Sequence, residues 1–313
     1  MWHDLIYDLT PVQQLGTGEI FWKRDDLFAP NGPGSVNGSK LRQVIWLVHN
    51  RKPDQRGVVS GAVKDSPQHP MVAAVAQHYG LPCVQFSGVK HIEKCPMLQL
   101  TREFAAEIRF VNPGYKNNVN AAALKYAEKE HWLHVETNIT VEHEINPPER
   151  VEAFHRVGSE QCRNIPDSIE NILIPAGSCN SLTSILYGLA RFKPQSLKTV
   201  HFFRIMPDMA RHQLWANERM DIIREVTGIQ LDLPYKFVEH PLVDEGFCEY
   251  SDMMPFGIGE IEFHPRYEGK ILNYMKQNTE KFRPLLNDKS LFWIIGSMPT
   301  CASRTQHRAA TAN

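Results

Sequence analysis

Gly57-Val58-Val59-Ser60-Gly61 is a short apolar run closed by glycine, Val72-Ala73-Ala74-Val75-Ala76-Gln77-His78-Tyr79 is a helix-length stretch stopped by Gly80, and Leu81-Pro82-Cys83-Val84-Gln85-Phe86 is apolar again. A buried strand, a helix and a second buried strand in that order form a βαβ unit, which implies a parallel sheet. The pattern continues outward. Glu107-Ile108-Arg109-Phe110-Val111 reads as a strand, Asn120 to Lys129 as a helix, and His134-Val135-Glu136 as a further strand before a long polar connection. Val151 to Cys162 is a helix candidate, Asn171-Ile172-Leu173-Ile174-Pro175 a strand, Leu182 to Phe192 a helix, and Thr199 to Ile205 a strand. The expected fold class is therefore α/β, as two open twisted lobes with mainly parallel sheets. Residues 52–150 are expected to form the smaller lobe, and residues 1–51 with 151–313 the larger one. From Cys301 onward the chain turns small and polar, which predicts a frayed tail.

A chain of 313 residues suits two packed lobes. Its 34 basic and 35 acidic residues leave a net charge of −1, so global charge steers it toward neither nucleic acid nor a membrane surface. Six cysteines, Cys83, Cys95, Cys162, Cys179, Cys248 and Cys301, are scattered without a close pair, which argues against a disulfide framework or a zinc site and suits a reducing, cytoplasmic setting. The 14 histidines include no HExxH or His-x-His spacing, and no metal is expected. No apolar stretch approaches bilayer length and no basic start precedes an apolar segment, so the chain reads as soluble and unprocessed.

In an open α/β sheet, ligands bind at the carboxyl ends of strands, so the loops there carry the chemistry. After the strand-like Ile20-Phe21-Trp22-Lys23-Arg24-Asp25-Asp26-Leu27 comes Asn37-Gly38-Ser39-Lys40-Leu41-Arg42. A lysine at the mouth of a helix becomes nucleophilic when burial and neighbouring positive potential lower its pKa, and it can then hold an aldehyde. Lysines that open helices are also commonly solvated. Ala176-Gly177-Ser178-Cys179-Asn180-Ser181, between a strand and a helix, offers backbone N–H groups and hydroxyls to a phosphate, although the same residues serve as plain caps. Asp65-Ser66-Pro67-Gln68-His69 reads either as a cap with proline near N1 or as a substrate loop. Arg266-Tyr267-Glu268-Gly269-Lys270 opens a late helix, where a carboxylate also suits the helix dipole.

Taken in order along nearly the whole chain, these segments resemble the fold-type II pyridoxal-phosphate enzymes (the tryptophan synthase β-like fold), and among them the 1-aminocyclopropane-1-carboxylate deaminase and D-cysteine desulfhydrase group. Gly38-Ser39-Lys40-Leu41-Arg42 resembles that group's Gly-Asn-Lys-x-Arg. Ser66-Pro67-Gln68 resembles its Ser-Asn-Gln, Gly177-Ser178-Cys179-Asn180-Ser181 its phosphate cup, and Tyr267-Glu268-Gly269-Lys270 the deaminases' Tyr-Glu-Gly-Lys. The resemblance implies pyridoxal 5'-phosphate as cofactor, with Lys40 as Schiff-base lysine and proton carrier. Glu268 would lie at the pyridine nitrogen, residues 177–181 around the phosphate, and Tyr267 and Ser66 would assist catalysis. Ser66, Gln68, His69 and Phe256 would contact substrate, and a homodimer is expected.

The departures bear on substrate. Pro67 removes an amide side chain and a backbone donor for a free carboxylate. Ser39 replaces an asparagine, and Cys179 and Asn180 replace cup glycines. Phe256 stands for a second tyrosine, and the 256–267 stretch is far shorter than the group's, which leaves room for a larger substrate. The expected activity is condensation with a substrate amine and labilisation of a bond at Cα, as a deaminase or β-eliminating lyase on a small amino acid. The alternatives are a decarboxylase or lyase acting on an amino-acid group attached to something larger, such as a modified nucleobase, and a non-catalytic relative used for binding. Nucleic acid enters only as such a modified substrate.

Overall fold

The computed structural model describes residues 1–15, 18–141, 144–206, 210–230, 234–259 and 261–296, so the tail expected to fray lies outside the described residues. Its strands in chain order are β1 (Val12–Gln14), β2 (Phe21–Arg24), β3 (Val58–Gly61), β4 (Cys83–Ser87), β5 (Glu107–Phe110), β6 (Leu133–Val135), β7 (Asn171–Ala176), β8 (Thr199–Arg204), β9 (Lys236–Pro241), β10 (Gly257–Ile258), β11 (Ile261–Glu262) and β12 (Ser290–Ile294). The helices are α1 (Trp2–Leu5), α2 (Ser39–His49), α3 (Gln68–His78), α4 (Pro96–Glu103), α5 (Lys116–Glu130), α6 (Pro148–Ser159), α7 (Asn180–Phe192), α8 (Ala210–Thr227), α9 (Glu268–Gln277) and α10 (Thr279–Phe282). The predicted α/β class and mainly parallel sheets are what the chain forms.

The chain divides into two units, one from Met1–Ile6 and Ala29–Val141, the other from Tyr7–Phe28 and Glu142–Gly296. The sequence expectation puts residues 1–51 with the larger lobe, whereas α1 and α2 here belong to the smaller unit. The physical reason is packing. Leu41 to Val48 of α2 are buried, α2 lies against α3 and β6, and the buried Arg42 donates from Nη1 to the Ile6 carbonyl at 2.9 Å. Trp2 stacks on His78 with ring centroids 4.4 Å apart.

The smaller unit carries a four-stranded parallel sheet in the order β5-β4-β3-β6. Val59, Val84 and Phe86 of the sheet pack with Val119, Ala123 and Ala127 of α5. The larger unit has six strands in the order β1-β2-β12-β7-β8-β9, antiparallel at β1–β2 and parallel elsewhere. Alternation along β7 and β12 sends Ile172, Ile174, Leu291 and Trp293 to one core and Leu173, Phe292 and Ile294 to another. Burial on both faces explains why these strands read as unbroken apolar runs.

At the start of the larger sheet, Asp25 joins β2 to β12. Its Oδ2 accepts the Trp293 indole N–H at 2.9 Å and its Oδ1 accepts the Thr10 hydroxyl at 2.6 Å. The fully buried Lys23 donates to Thr10 O at 2.8 Å and to Asn164 Oδ1 at 2.7 Å. The Lys23-Arg24-Asp25 run is thus a structural network that ties the first strands of this unit to its centre.

Candidate active site

In the smaller unit, Lys40 is the second residue of α2, and the glycine before that helix sets its place. Gly38 caps α2 at φ 102° and ψ 168°, a conformation essentially confined to glycine. Lys40 is half-buried, and its Nζ donates to the Asn138 carbonyl at 3.4 Å. Burial, with the Lys116 charge as a lesser cause, lowers its amine from 10.5 to about 8. The neutral, nucleophilic form, negligible near neutral pH for an ordinary lysine, is therefore a sizeable minority there, which suits a Schiff-base role.

The 66–69 loop turns inward. Ser66 N donates to Val63 O at 2.9 Å, Gln68 N to Ser66 Oγ at 3.3 Å and His69 N to Ser66 O at 3.3 Å, while Pro67 has no N–H to give. The Gln68 side chain is buried and hydrogen-bonded to Ser60, Glu136 and Asn138. His69 is fully buried, with Nδ1 facing Gln85 Oε1 at 3.1 Å and Nε2 facing Ala62 O at 3.1 Å. Burial holds this imidazole below its usual pKa, and neither ring nitrogen faces a substrate. Of the residues expected at substrate in this loop, Ser66 alone keeps a half-exposed side chain.

In the larger unit, β7 runs into Gly177, Ser178 and Cys179, and Asn180 opens α7. Cys179 is buried at φ 59°, which turns the chain sharply into a helix N-terminus, a ready anion site. Its carbonyl accepts the Thr183 N–H at 2.8 Å and the Thr183 hydroxyl at 2.9 Å. Burial pushes the Cys179 thiol up to about 12, so it acts as packing and not as a nucleophile. A Cβ built on Gly177 would stand 3.7 Å from Cε1 of Tyr267, which places that tyrosine beside the cup. Burial, with the Tyr250 phenol beside it, raises the Tyr267 hydroxyl.

Glu268, the first residue of α9, is fully buried. Its Oε1 accepts the amides of Ile295 at 2.9 Å and Gly296 at 2.6 Å, both at the end of β12. Among the described residues its Oε2 has no hydrogen-bond partner. Burial drives the carboxyl from 4.5 up to about 7, against the pull of its own amide and those of Gly296 and Ile295 and with a smaller push from Asp26. A Cβ at Gly296 would run into Oε2 and crowd the His264 side chain, so glycine there leaves room for the carboxylate as it stands. A buried carboxylate with one oxygen unengaged is suited to a cationic ring nitrogen, as the helix N-terminus is to a phosphate and the depressed amine to an aldehyde. The residues present therefore fit pyridoxal 5'-phosphate.

Phe256 sits half-buried with its ring 6.4 Å from that of Phe263, packed on the core. Sequence reasoning missed Asn138, whose only signal was a Thr-Asn pair just past a strand end, and the Ile295 and Gly296 amides, which left none. Among the described residues, no group of three or more histidine, cysteine or acidic side chains could hold a metal, and no helix is long and apolar enough to cross a membrane.

Comparison with known proteins shows the family and the fold. A family model described as pyridoxal-phosphate dependent enzyme matches residues 6–220. The chain is 33% identical, over 95% of its length and 84% of the relative, to an O-seryl-dTMP PLP-dependent decarboxylase of Salmonella phage ViI. Among solved structures, an ACC deaminase homologue superposes with a TM-score of 0.71 at 18% identity, covering 98% of this chain and 94% of that one. Maize serine racemase superposes at 0.61 and 14% identity, covering 96% and 93%. These structural likenesses establish the fold, which is fold type II, while the family match and the decarboxylase relative show an enzyme, so the reading of the chain as a non-catalytic relative falls. The chain belongs to the pyridoxal-phosphate dependent enzyme family.

Proposed function

We propose that this enzyme decarboxylates an amino acid carried on a nucleotide, of the O-seryl-dTMP class. The observation that carries the reading is the closed 66–69 loop: its amide donors are taken up internally and Pro67 has none, so no N–H there is left to clamp a carboxylate. An enzyme that keeps its substrate's α-carboxylate needs such a clamp, whereas one that expels it as carbon dioxide gains by leaving it unpaired. The 33% identity to a phage decarboxylase named for O-seryl-dTMP supports the same assignment.

When bound, pyridoxal phosphate supplies an electron sink for the pair left at Cα. Lys40 would hold the aldehyde and later carry the proton to Cα. Residues 177–181 would bind the phosphate through α7 amides and the Ser178 and Ser181 hydroxyls. Glu268 would keep a proton on the ring nitrogen, and Tyr267 would line the cup. In balance, the Cα–carboxylate bond breaks, one proton enters at Cα, and the products are carbon dioxide and the aminoethyl ether of the nucleotide. A second reading, elimination from a small amino acid, rests on Glu268, but a strong sink serves both reactions and does not separate them.

The test supplies O-seryl-dTMP, 1-aminocyclopropane-1-carboxylate and D-cysteine in parallel and measures carbon dioxide, ammonia and keto acid. Carbon dioxide from the nucleotide alone is the expected result. Ammonia and keto acid from a small amino acid, with the nucleotide untouched, would overturn it.

A further inference from the structure

Gln68 is expected from sequence to touch substrate, yet its amide is built into the frame of the smaller unit. Nε2 donates to Ser60 Oγ on β3 and to Glu136 O just past β6, both at 2.8 Å. Oε1 accepts the Asn138 N–H at 2.9 Å. The carbonyl of that same Asn138 accepts from Lys40 Nζ. Asn138 and Ile139 both lie in the left-handed region, at φ 72° and 57°. Asparagine tolerates that region, but for a β-branched residue it is strained and persists only where the surroundings impose it.

The surroundings do impose it. Thr137 donates from its hydroxyl to Gly61 O at 2.8 Å and from its N–H to Asn120 Oδ1 at 3.3 Å. Asn120 Nδ2 donates to Glu136 Oε1 at 2.9 Å, Ile139 N to Glu136 O at 2.9 Å, and the Ile139 side chain is buried. The turn therefore aims one backbone carbonyl at the lysine, and Gln68 is the side chain that holds the residue bearing it.

We infer that Gln68 is a positioning residue for Lys40: through Asn138 it fixes a carbonyl that docks the ε-ammonium whenever the lysine is not bound to cofactor. A carbonyl acceptor favours the charged amine, against burial and the Lys116 charge, which favour the neutral one. At 3.4 Å the contact is long, so it holds the ammonium without trapping it. The lysine thus keeps a defined place for the proton it must deliver. The inference rests on the family assignment and not on which bond at Cα is broken.

The experiment uses the full chain freed of pyridoxal phosphate by hydroxylamine. The pH dependence of acylation at Lys40 is read by mass spectrometry, with thermal unfolding measured beside it. Gln68→Met keeps the side chain's bulk and removes its hydrogen bonds. Its acylation midpoint is expected to fall by about one pH unit, the scale of a lost hydrogen bond to a charged group. Asn138→Gly keeps the carbonyl and relieves the left-handed residue, so its midpoint is expected to match the wild type. A Gln68→Met midpoint equal to the wild type, with only the unfolding temperature lowered, would reduce Gln68 to a structural role and overturn the inference. So would an Asn138→Gly shift as large as that of Gln68→Met, since the side chain and not the carbonyl would then be the dock. Should Gln68→Met not fold, Ser60→Ala removes one acceptor of Gln68 and is expected to shift the midpoint down by a smaller amount. A folded Ser60→Ala with no shift overturns the inference equally.

Discussion

Replacing Glu268 by glutamine should flatten the pH dependence of stability of the cofactor-free protein. The wild-type carboxyl is fully buried, with one oxygen on the Ile295 and Gly296 amides and the other unpartnered among the described residues. Its folded pKa is raised from 4.5 to about 7, so the folded chain holds the proton more tightly than the unfolded chain does. Below the unfolded value both states are protonated and the site contributes no difference. As pH rises from 4.5 the unfolded chain ionises while the folded chain keeps its proton, so stability is lost progressively until the folded carboxyl ionises at about 7, where the loss levels off. At about 1.4 kcal/mol per pH unit, the loss accumulated by pH 8 is about 3 kcal/mol. Glutamine carries no charge, so this component vanishes, although its buried amide nitrogen gains no acceptor and lowers stability at every pH by about 1–3 kcal/mol. The slope is thus the clean readout and the absolute value is not. Urea unfolding of both proteins from pH 4.5 to 8 measures it, and parallel curves would mean that the Glu268 carboxyl is not desolvated in the folded state.

Three further substitutions test other parts of the argument. Gly38→Ala forces a side chain into a glycine-only conformation at the cap of α2, and should cost about 1–3 kcal/mol in urea unfolding while also weakening the visible Schiff-base absorbance, because Lys40 lies two residues on. Asp25→Ala strips the acceptor from the buried Trp293 indole and leaves the Thr10 hydroxyl with Gln161 Oε1 alone, and should cost about 1–3 kcal/mol in the same assay with the absorbance maximum of the loaded protein unmoved. Pro67→Asn restores a backbone N–H to the 66–69 loop, and should lower KM for small free amino acids without lowering it for a seryl nucleotide; equal changes for both would count against the closed-loop reading.

The alternation of strands and helices was legible because parallel strands buried on both faces are continuous apolar runs, as at β3, β4 and β7. β9 escaped notice because Lys236 and Phe237 are exposed at a sheet edge and the run alternates polar with apolar. β12 is apolar, but Leu-Phe-Trp-Ile alone fits a buried helix as well as a strand, and only pairing with the remote β2 and β7 decides it. At the site, Lys40, the cup and Glu268 were found as residue types in order. What surrounds them was not, because the amides on Glu268 come from the other end of the last strand and the carbonyl on Lys40 from a turn 98 positions away. Gln68 and His69 show the converse failure. Their place in a motif was read correctly as a loop opening a helix, but which way a side chain points at a helix start is set by partners on β3, on β4 and just past β6, and local sequence does not carry it.

Lys40 completes the electrostatic account with the opposite sign. Its folded pKa is lowered from 10.5 to about 8, so the folded chain releases the proton first, and stability is gained as pH rises from about 8 toward 10.5. Lys40→Met should remove that gain, and urea unfolding between pH 7.5 and 10 would show a variant whose curve rises less than the wild type's by about 3 kcal/mol at most. A wild-type curve that does not rise faster would mean the amine is not desolvated in the folded state. Glu268 lowers stability up to about pH 7 and Lys40 restores it only above about 8, so the two sites leave the cofactor-free protein least favoured in the window between. Through that window the glutamate ionises while the lysine is still mainly the ammonium, and only toward its upper edge, near pH 8, does the neutral amine become as abundant as the charged one. If Lys40 and Glu268 hold the cofactor as proposed, added pyridoxal phosphate should stabilise the chain more near pH 8 than at pH 5, and equal stabilisation at both would count against those two roles.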